Sequence, residues 1–309
     1  MSGSLLPSRR SVLAAAALGV AGLAGCTAPE PPSLAMAGGE RGGFFNEFSH
    51  LLAGAIASSR ADFRLTPLTT TGTLHNLDLL TSGDASIGLA LADVAVADTR
   101  GLAAIGRVYQ TYWQLAVPVE SAIRSVADLR GRRVSLGPER SGTRFTALRI
   151  LAAGGVAPDD VAERQIALAE VGRALVEGRV DAALFAGGVP LPVVEAPAGK
   201  SIRLIDLNAE VETLQRRHSA VYRVARIPRG VYGTETETRT LGVASLLLAR
   251  TDVSDSVAGQ LVEALVSRPA DLVPAETLST QYLDPRALIT TAGVPLHPGA
   301  AAAYRRLHG

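Results

Sequence analysis

Cysteine occurs once in the 309 residues, at Cys26, so no internal disulfide forms and no thiolate metal site or Cys-x-x-Cys redox pair is available. Aromatic residues make up 4% of the chain, too few for a surface that stacks bases or sugars. Lys200 is the only lysine, and 30 basic residues against 29 acidic ones leave a net charge of +1. No stripe of basic residues stands out, which excludes the electrostatic footprint of a nucleic-acid binder. After residue 30 no apolar run approaches the roughly 20 residues that a membrane helix requires. Enzyme signatures are missing too. There is no Gly-x-Ser-x-Gly elbow and no His-Glu-x-x-His, and His50, His75, His218, His297 and His308 are scattered without metal-ligand spacing. No catalytic activity, metal or cofactor is therefore expected.

What is present begins at the N-terminus. "SRRSVLAAAALGVAGLAGC" places Arg9-Arg10 before a weakly apolar, Ala-rich run and closes on Leu23-Ala24-Gly25-Cys26. Paired arginines ahead of such a run follow the twin-arginine export pattern, and the closing tetrapeptide resembles a bacterial lipobox. Residues 1–26 read as the signal, with Cys26 as the lipidated residue, and 27–32 ("TAPEPP") as a Pro-rich tether. The expectation is an exported protein held to the outer face of the cell membrane by lipid.

From Ser33 onward strand-like runs alternate with helical ones. Strands are expected at 33–36, 63–68, 85–92, 103–109, 132–137, 163–168, 181–186, 202–207 and 241–249. A helix is expected over 44–59, with Phe45, Phe48, Leu52 and Ile56 on one stripe. Strands separated by helices imply βαβ units and mainly parallel sheets. "LLTSGDASIGLALA" and "ALVEGRVDAALFAG" echo each other as a helix end, a glycine (Gly83, Gly178) and a buried strand. That echo points to two α/β lobes, 33–114 plus 246–309 and 115–245, joined by crossings near Trp113–Val117 and Leu241–Leu248.

Three loops, 37–45, 69–77 and 137–143, leave strand candidates, are rich in Gly, Ser or Thr, and open helices. Gly137 to Gly142 has the gap of a phosphate loop, but Thr143-Arg144 stand where Lys-Ser/Thr is required, so it is not one. Ser141, Gly142 and Thr143 place backbone N–H groups and two hydroxyls at a helix start, an arrangement suited to anions. Ser125 with Asp128 reads as a capping box and nothing more. Asp93, at a strand end, is either a general base or a cap.

These residues carry a resemblance. "AGGERGGFFNEFSHLLAGAI", "TTTGTLHNLDLLTSGDASIGLALADVA", "IRSVADLRGRRVSLGPERSGTRFTALRIL", "IPRGVYGTETETRTLGVASLLLAR" and "GVPLHPGAAAAYRRL" resemble, in order, segments of the TAXI-type solute receptors of TRAP transporters. The resemblance implies a two-lobed type II periplasmic binding protein, α/β, with a ligand cleft between the lobes. It implies a monomeric receptor that captures a small organic acid or amino acid and delivers it to TRAP permease subunits. Carried over by position, the ligand contacts are Gly38, Phe44, Phe45, Thr71, Thr73, Asn76, Asp93, Ser141, Gly142, Thr143, Phe185, Gly188 and Tyr232. Ala37, Phe44, Phe45 and Leu91 depart from the family's hydroxyl and amide residues, while Arg41 and Arg140 enter the loops. A cleft that has lost neutral donors needs another way to hold an anion, so Arg41 or Arg140 is expected to clamp a carboxylate. A ligand sensor feeding a membrane histidine kinase is an alternative reading, and an exported hydrolase, lacking any nucleophile–base pair, a weaker one.

Overall fold

The computed structural model of the chain describes residues 30–99, 101–199, 201–218, 221–273 and 283–308. The twin-arginine segment and Cys26 lie outside the described residues. Strands β1 (Ser33–Ala37), β2 (Arg64–Leu68) and β3 (Ile87–Leu91) alternate with helices α1 (Phe44–Ala57), α2 (Thr73–Ser82) and α3 (Ala92–Ala97). A long strand β4 (Leu102–Pro118) leads to β5 (Arg133–Ser135), α4 (Gly142–Ala153), β6 (Ala162–Arg164), α5 (Leu168–Val176), β7 (Ala182–Gly187) and α6 (Pro192–Ala198). Then come β8 (Ile202–Ile205), α7 (Asn208–His218), β9 (Tyr222–Ile227) and a second long strand, β10 (Thr238–Arg250). Helices α8 (Asp255–Ser267), α9 (Pro285–Leu288) and α10 (Pro298–His308) complete the described chain.

The strands form one curled, mixed sheet in the order β2-β1-β3-β10-β4-β7-β5-β6, with β8 beside β4 and β9 beside β10. Its two outer parts are parallel, as the alternating pattern implies: β1 pairs with β2 and β3, and β5 with β6 and β7. Its centre is antiparallel, because β4 and β10 pair with each other and with their neighbours in opposite directions. Residues 245–249 of β10 pair with β3, whereas 238–243 pair with β9. Residues 102–112 of β4 pair with β10, and 112–118 go on to β7 and β8. The two long strands thus link two separate parallel groups.

Local physics explains the elements. β3 is buried on both faces along its whole length, so an uninterrupted apolar run suits it. In α1 the buried stripe is Phe44, Phe48, Leu52 and Ile56, one helical face at i, i+4 spacing. It starts at Phe44, one residue earlier than the spacing from Phe45 predicts, and this leaves Phe45 free to face elsewhere. The echo glycines both take left-handed backbones (Gly83 φ +88°, Gly178 φ +66°), ending their helices as the pattern requires. The Ser125–Asp128 capping box forms, with the Asp128 carboxylate accepting from the Ser125 backbone at 2.9 Å.

Candidate functional site

Four βα turns end on one cleft. β1, β2, β5 and β6 each run into a loop and then into α1, α2, α4 and α5, and the first residues of these helices line a cavity of about 70 Å³. This is the crevice at strand C-terminal ends where open α/β sheets present their ligands. The first N–H groups of any helix have no intrahelical acceptor. Gly43 and Gly72, the N-caps of α1 and α2, have no side chain to supply one. In α4 the Ser141 hydroxyl accepts from the Arg144 N–H at 3.0 Å, which leaves Gly142 and Thr143 at the open end.

The starts of α2 and α4 touch. A Cβ on Gly142 would lie 2.6 Å from Thr73 Oγ1 and 2.8 Å from Leu91 Cδ1, and one on Gly72 would lie 3.7 Å from Ser141. Gly72 also has φ +112°, a backbone open in practice only to glycine. A backbone hydrogen bond from His75 N–H to the Arg140 carbonyl, 3.2 Å, ties the two turns. Two positive helix ends in contact repel unless a negative group sits between them.

The rest of the wall is apolar with a few hydroxyls. Phe44 and Phe45 pack on Tyr109, with ring centroids at 3.9 and 6.0 Å. Leu91, Ile166, Leu168, Val171, Leu184 and Ala186 complete the apolar lining, and Thr71, Thr73, Thr111, Ser135, Ser141 and Thr143 supply hydroxyls. Two of the polar groups are buried without a partner. The Ser135 hydroxyl makes no hydrogen bond, and the Tyr109 hydroxyl faces the Thr111–Ser245 hydroxyl pair without a well-formed bond to either. Burial pushes the Tyr109 phenol well above its ordinary pKa, so it stays a neutral donor. Buried polar groups normally find partners, and two unpaired ones in a cleft wall point to a ligand that completes them.

Among the described residues of this lining, Glu40 is the one charged side chain. Its Oε1 accepts from the Leu168 N–H at 3.2 Å, so it caps α5 from the β1–α1 loop. Burial pushes its carboxyl up, and the Leu168 hydrogen bond opposes that shift.

Among the residues expected at the site, Phe44, Phe45, Thr71, Thr73, Ser141, Gly142 and Thr143 line the cleft. The others are placed elsewhere. Asn76 is a buried clamp: its Nδ2 donates to the Gly38 carbonyl at 2.5 Å and the Leu89 carbonyl at 2.7 Å, while its Oδ1 accepts from Thr70. Gly38 is the other half of that clamp. Asp93 is buried behind the cleft, where Thr146 (2.5 Å) and Tyr222 (2.9 Å) donate to Oδ2, joining α3 to α4 and β9. Burial pushes its carboxyl above the ordinary value, against those hydrogen bonds and the charge of Arg149. Tyr232 donates to Gln114 at 2.5 Å and accepts from the Leu191 N–H, and the Gly188 carbonyl accepts from Gln114, one layer behind the wall. Phe185 packs in an apolar cluster with Leu175 and Val194, while its neighbours Leu184 and Ala186 line the cleft. Arg41 is exposed, and Arg140 is ion-paired with Asp78 at the rim. Neither arginine is among the lining residues.

Sequence reasoning missed Glu40, Tyr109, Ser135 and the start of α5. The run 163–168 reads as a strand, but β6 ends at Arg164 and Leu168 begins α5, whose buried residues Leu168, Val171, Gly172 and Leu175 follow a helical repeat. That repeat was the available signal for a fourth turn at the cleft.

Residues 37–306 match the model of the NMT1-like family. Among solved structures, a protein from Bordetella bronchiseptica RB50 is similar at 14% identity, with a TM-score of 0.55, over 91% of this chain and 99% of that one. An ancestral arginine-binding protein bound to arginine is similar at 16% identity and TM-score 0.52, over 78% and 94%. The ligand-binding component of an ABC-type import system from Staphylococcus aureus matches at 10% identity and TM-score 0.50, over 90% and 92%. The fold is that of the two-lobed periplasmic solute-binding proteins.

Proposed function

The chain belongs to the NMT1-like family, and from that membership and the cleft we propose that it is an extracytoplasmic receptor that binds a small carboxylate and passes it to a membrane transporter. The observation that carries this reading is the contact between the starts of α2 and α4 beside the unpaired hydroxyls of Tyr109 and Ser135. Together these offer backbone N–H groups, two helix ends and neutral donors to one negative group. The arginine clamp is not part of this proposal, since the ligand's charge is met by backbone and hydroxyls.

The β1–β3 and β5–β7 groups are the two lobes, with β4 and β10 as the hinge. The exchange of pairing partners near Tyr112 and Val243 supports this division. The starts of α2 and α4, one from each group, are in contact, so we read this state as the closed one, and ligand enters when the hinge opens. The transporter is of the TRAP type, a reading supported by the five ordered TAXI-like segments, and the receptor is tethered through lipid on Cys26. Replacement of Cys26 by Ser should release it from membranes.

The test is a thermal-shift screen of monocarboxylates, dicarboxylates, 2-oxo acids and amino acids. A true ligand at about 100 times its Kd adds roughly 2.7 kcal/mol of stability. A screen in which no carboxylate raises the melting temperature contradicts the proposal.

A further inference from the structure

We propose that Glu40 makes the cleft selective for a carboxylate that also carries a protonated amine, an α-amino acid with a small apolar side chain, over a dicarboxylate or 2-oxo acid of similar size. This rests on the receptor reading above and names its ligand class. The lining holds two opposite electrostatic features. The starts of α2 and α4 favour a negative group, and Glu40 supplies a negative group of its own. The Glu40 carboxylate has one oxygen bonded to the Leu168 N–H and, among the described residues, no ion-pair partner. It is partly buried, and burial raises its pKa, the sign of a charge short of compensation. Arg140 is paired with Asp78 and Arg41 is exposed outside the lining, so no cation among the described lining residues neutralises it.

Both features line the same cleft, so one small occupant with a group for each can meet both. A ligand with a carboxylate at the helix ends and an ammonium beside Glu40 satisfies both, and charge-assisted hydrogen bonds are the strong ones. A dicarboxylate must instead put its second charge near Glu40 or against the Phe44, Phe45 and Tyr109 rings, with no guanidinium to receive it. A 2-oxo acid offers Glu40 an acceptor where a donor is needed. The remaining wall from Leu168, Val171 and Leu184 accepts an apolar side chain.

The experiment is calorimetry at pH 7 with matched pairs: L-alanine against pyruvate, L-valine against 3-methyl-2-oxobutanoate, and succinate as the dicarboxylate. Wild-type protein should bind the amino acid of each pair about tenfold or more tightly than its oxo acid, and succinate more weakly still. Glu40→Gln keeps an acceptor for the Leu168 N–H and should shrink the amino-acid preference about tenfold or more while leaving the oxo acids equal or improved. Oxo acid or succinate binding as tightly as the amino acid in the wild type overturns the proposal without any variant. An unchanged ratio in Glu40→Gln overturns it as well. These outcomes leave carboxylate binding itself intact, whereas a failure of every carboxylate to bind overturns the receptor reading and this inference with it.

Discussion

Gly142→Ala separates closure from folding. The new Cβ would lie 2.6 Å from Thr73 Oγ1 and 2.8 Å from Leu91 Cδ1, against the ~3.5–4 Å of an ordinary carbon contact. The starts of α2 and α4 must then part by about 1 Å, and overpacking of this kind costs about 1–3 kcal/mol. Gly142 is not among the glycines with left-handed backbone, so the substitution brings no conformational strain of its own. Alanine is also the better helix former, although at the first helical position the gain falls short of the ~0.8–1 kcal/mol of a helix interior. With the hinge open the clash vanishes and only the helix gain remains, so melting of the ligand-free protein should hold or rise. In the closed, liganded state the full steric cost applies. Affinity measured by calorimetry should fall about 5- to 150-fold, the equivalent of 1–3 kcal/mol. An affinity within about threefold of the parent would show that the two helix starts do not need to meet when ligand binds.

Other substitutions test the layers around the cleft. Asn76→Ala strands the Gly38 and Leu89 carbonyls and the Thr70 hydroxyl, and should cost about 2–4 kcal/mol in urea unfolding; a loss under about 1 kcal/mol would refute the clamp. Burial holds the Asp93 carboxyl above its ordinary range, so in the pH window between the unfolded and folded values the native state binds more protons than the unfolded chain. Its stabilising contribution is therefore full below pH 3.8 and declines as pH rises through the folded value. Urea curves should show the wild type losing stability relative to Asp93→Asn as pH rises from 3.8 towards neutrality, and the opposite slope would contradict the burial argument. Arg140→Ala, which breaks an exposed pair with Asp78, and Arg41→Ala should each change stability by under about 1 kcal/mol and affinity by less than about threefold. A tenfold loss of affinity in either variant would restore the arginine clamp.

Short apolar strands and the glycines that end helices were legible because their signals are local. β1, β2, β3 and β7 fall within a residue or two of where their runs place them. β4 extends nine residues beyond Tyr109 because Thr111 and Gln114 are buried with partners supplied from distant segments, Ser245 for one and Gly188 and Tyr232 for the other. No local pattern announces such partners. β9 escaped notice since its arginines break the apolar run, although Tyr222 and Ile227 at its ends are buried. The loops that build the cleft could be read from Gly, Ser and Thr at helix starts. What sequence could not decide is whether a polar residue in them meets a ligand or the protein. Asn76 and Asp93 prove to be committed to internal hydrogen bonds, Arg140 to Asp78, while Tyr109 and Ser135, placed at the wall by strand register, are not.

In the proposed receptor, backbone N–H groups at converging helix starts hold the ligand. The most direct measurement is an NMR titration of ¹⁵N-labelled protein with the tightest-binding carboxylate of the screen. The largest amide shifts, with slowed hydrogen exchange, should fall on Phe44, Thr73, Gly142 and Thr143. Saturating ligand that leaves these four amides unmoved, with the shifts gathered on Arg41 and Arg140 or on a distant face, would contradict it.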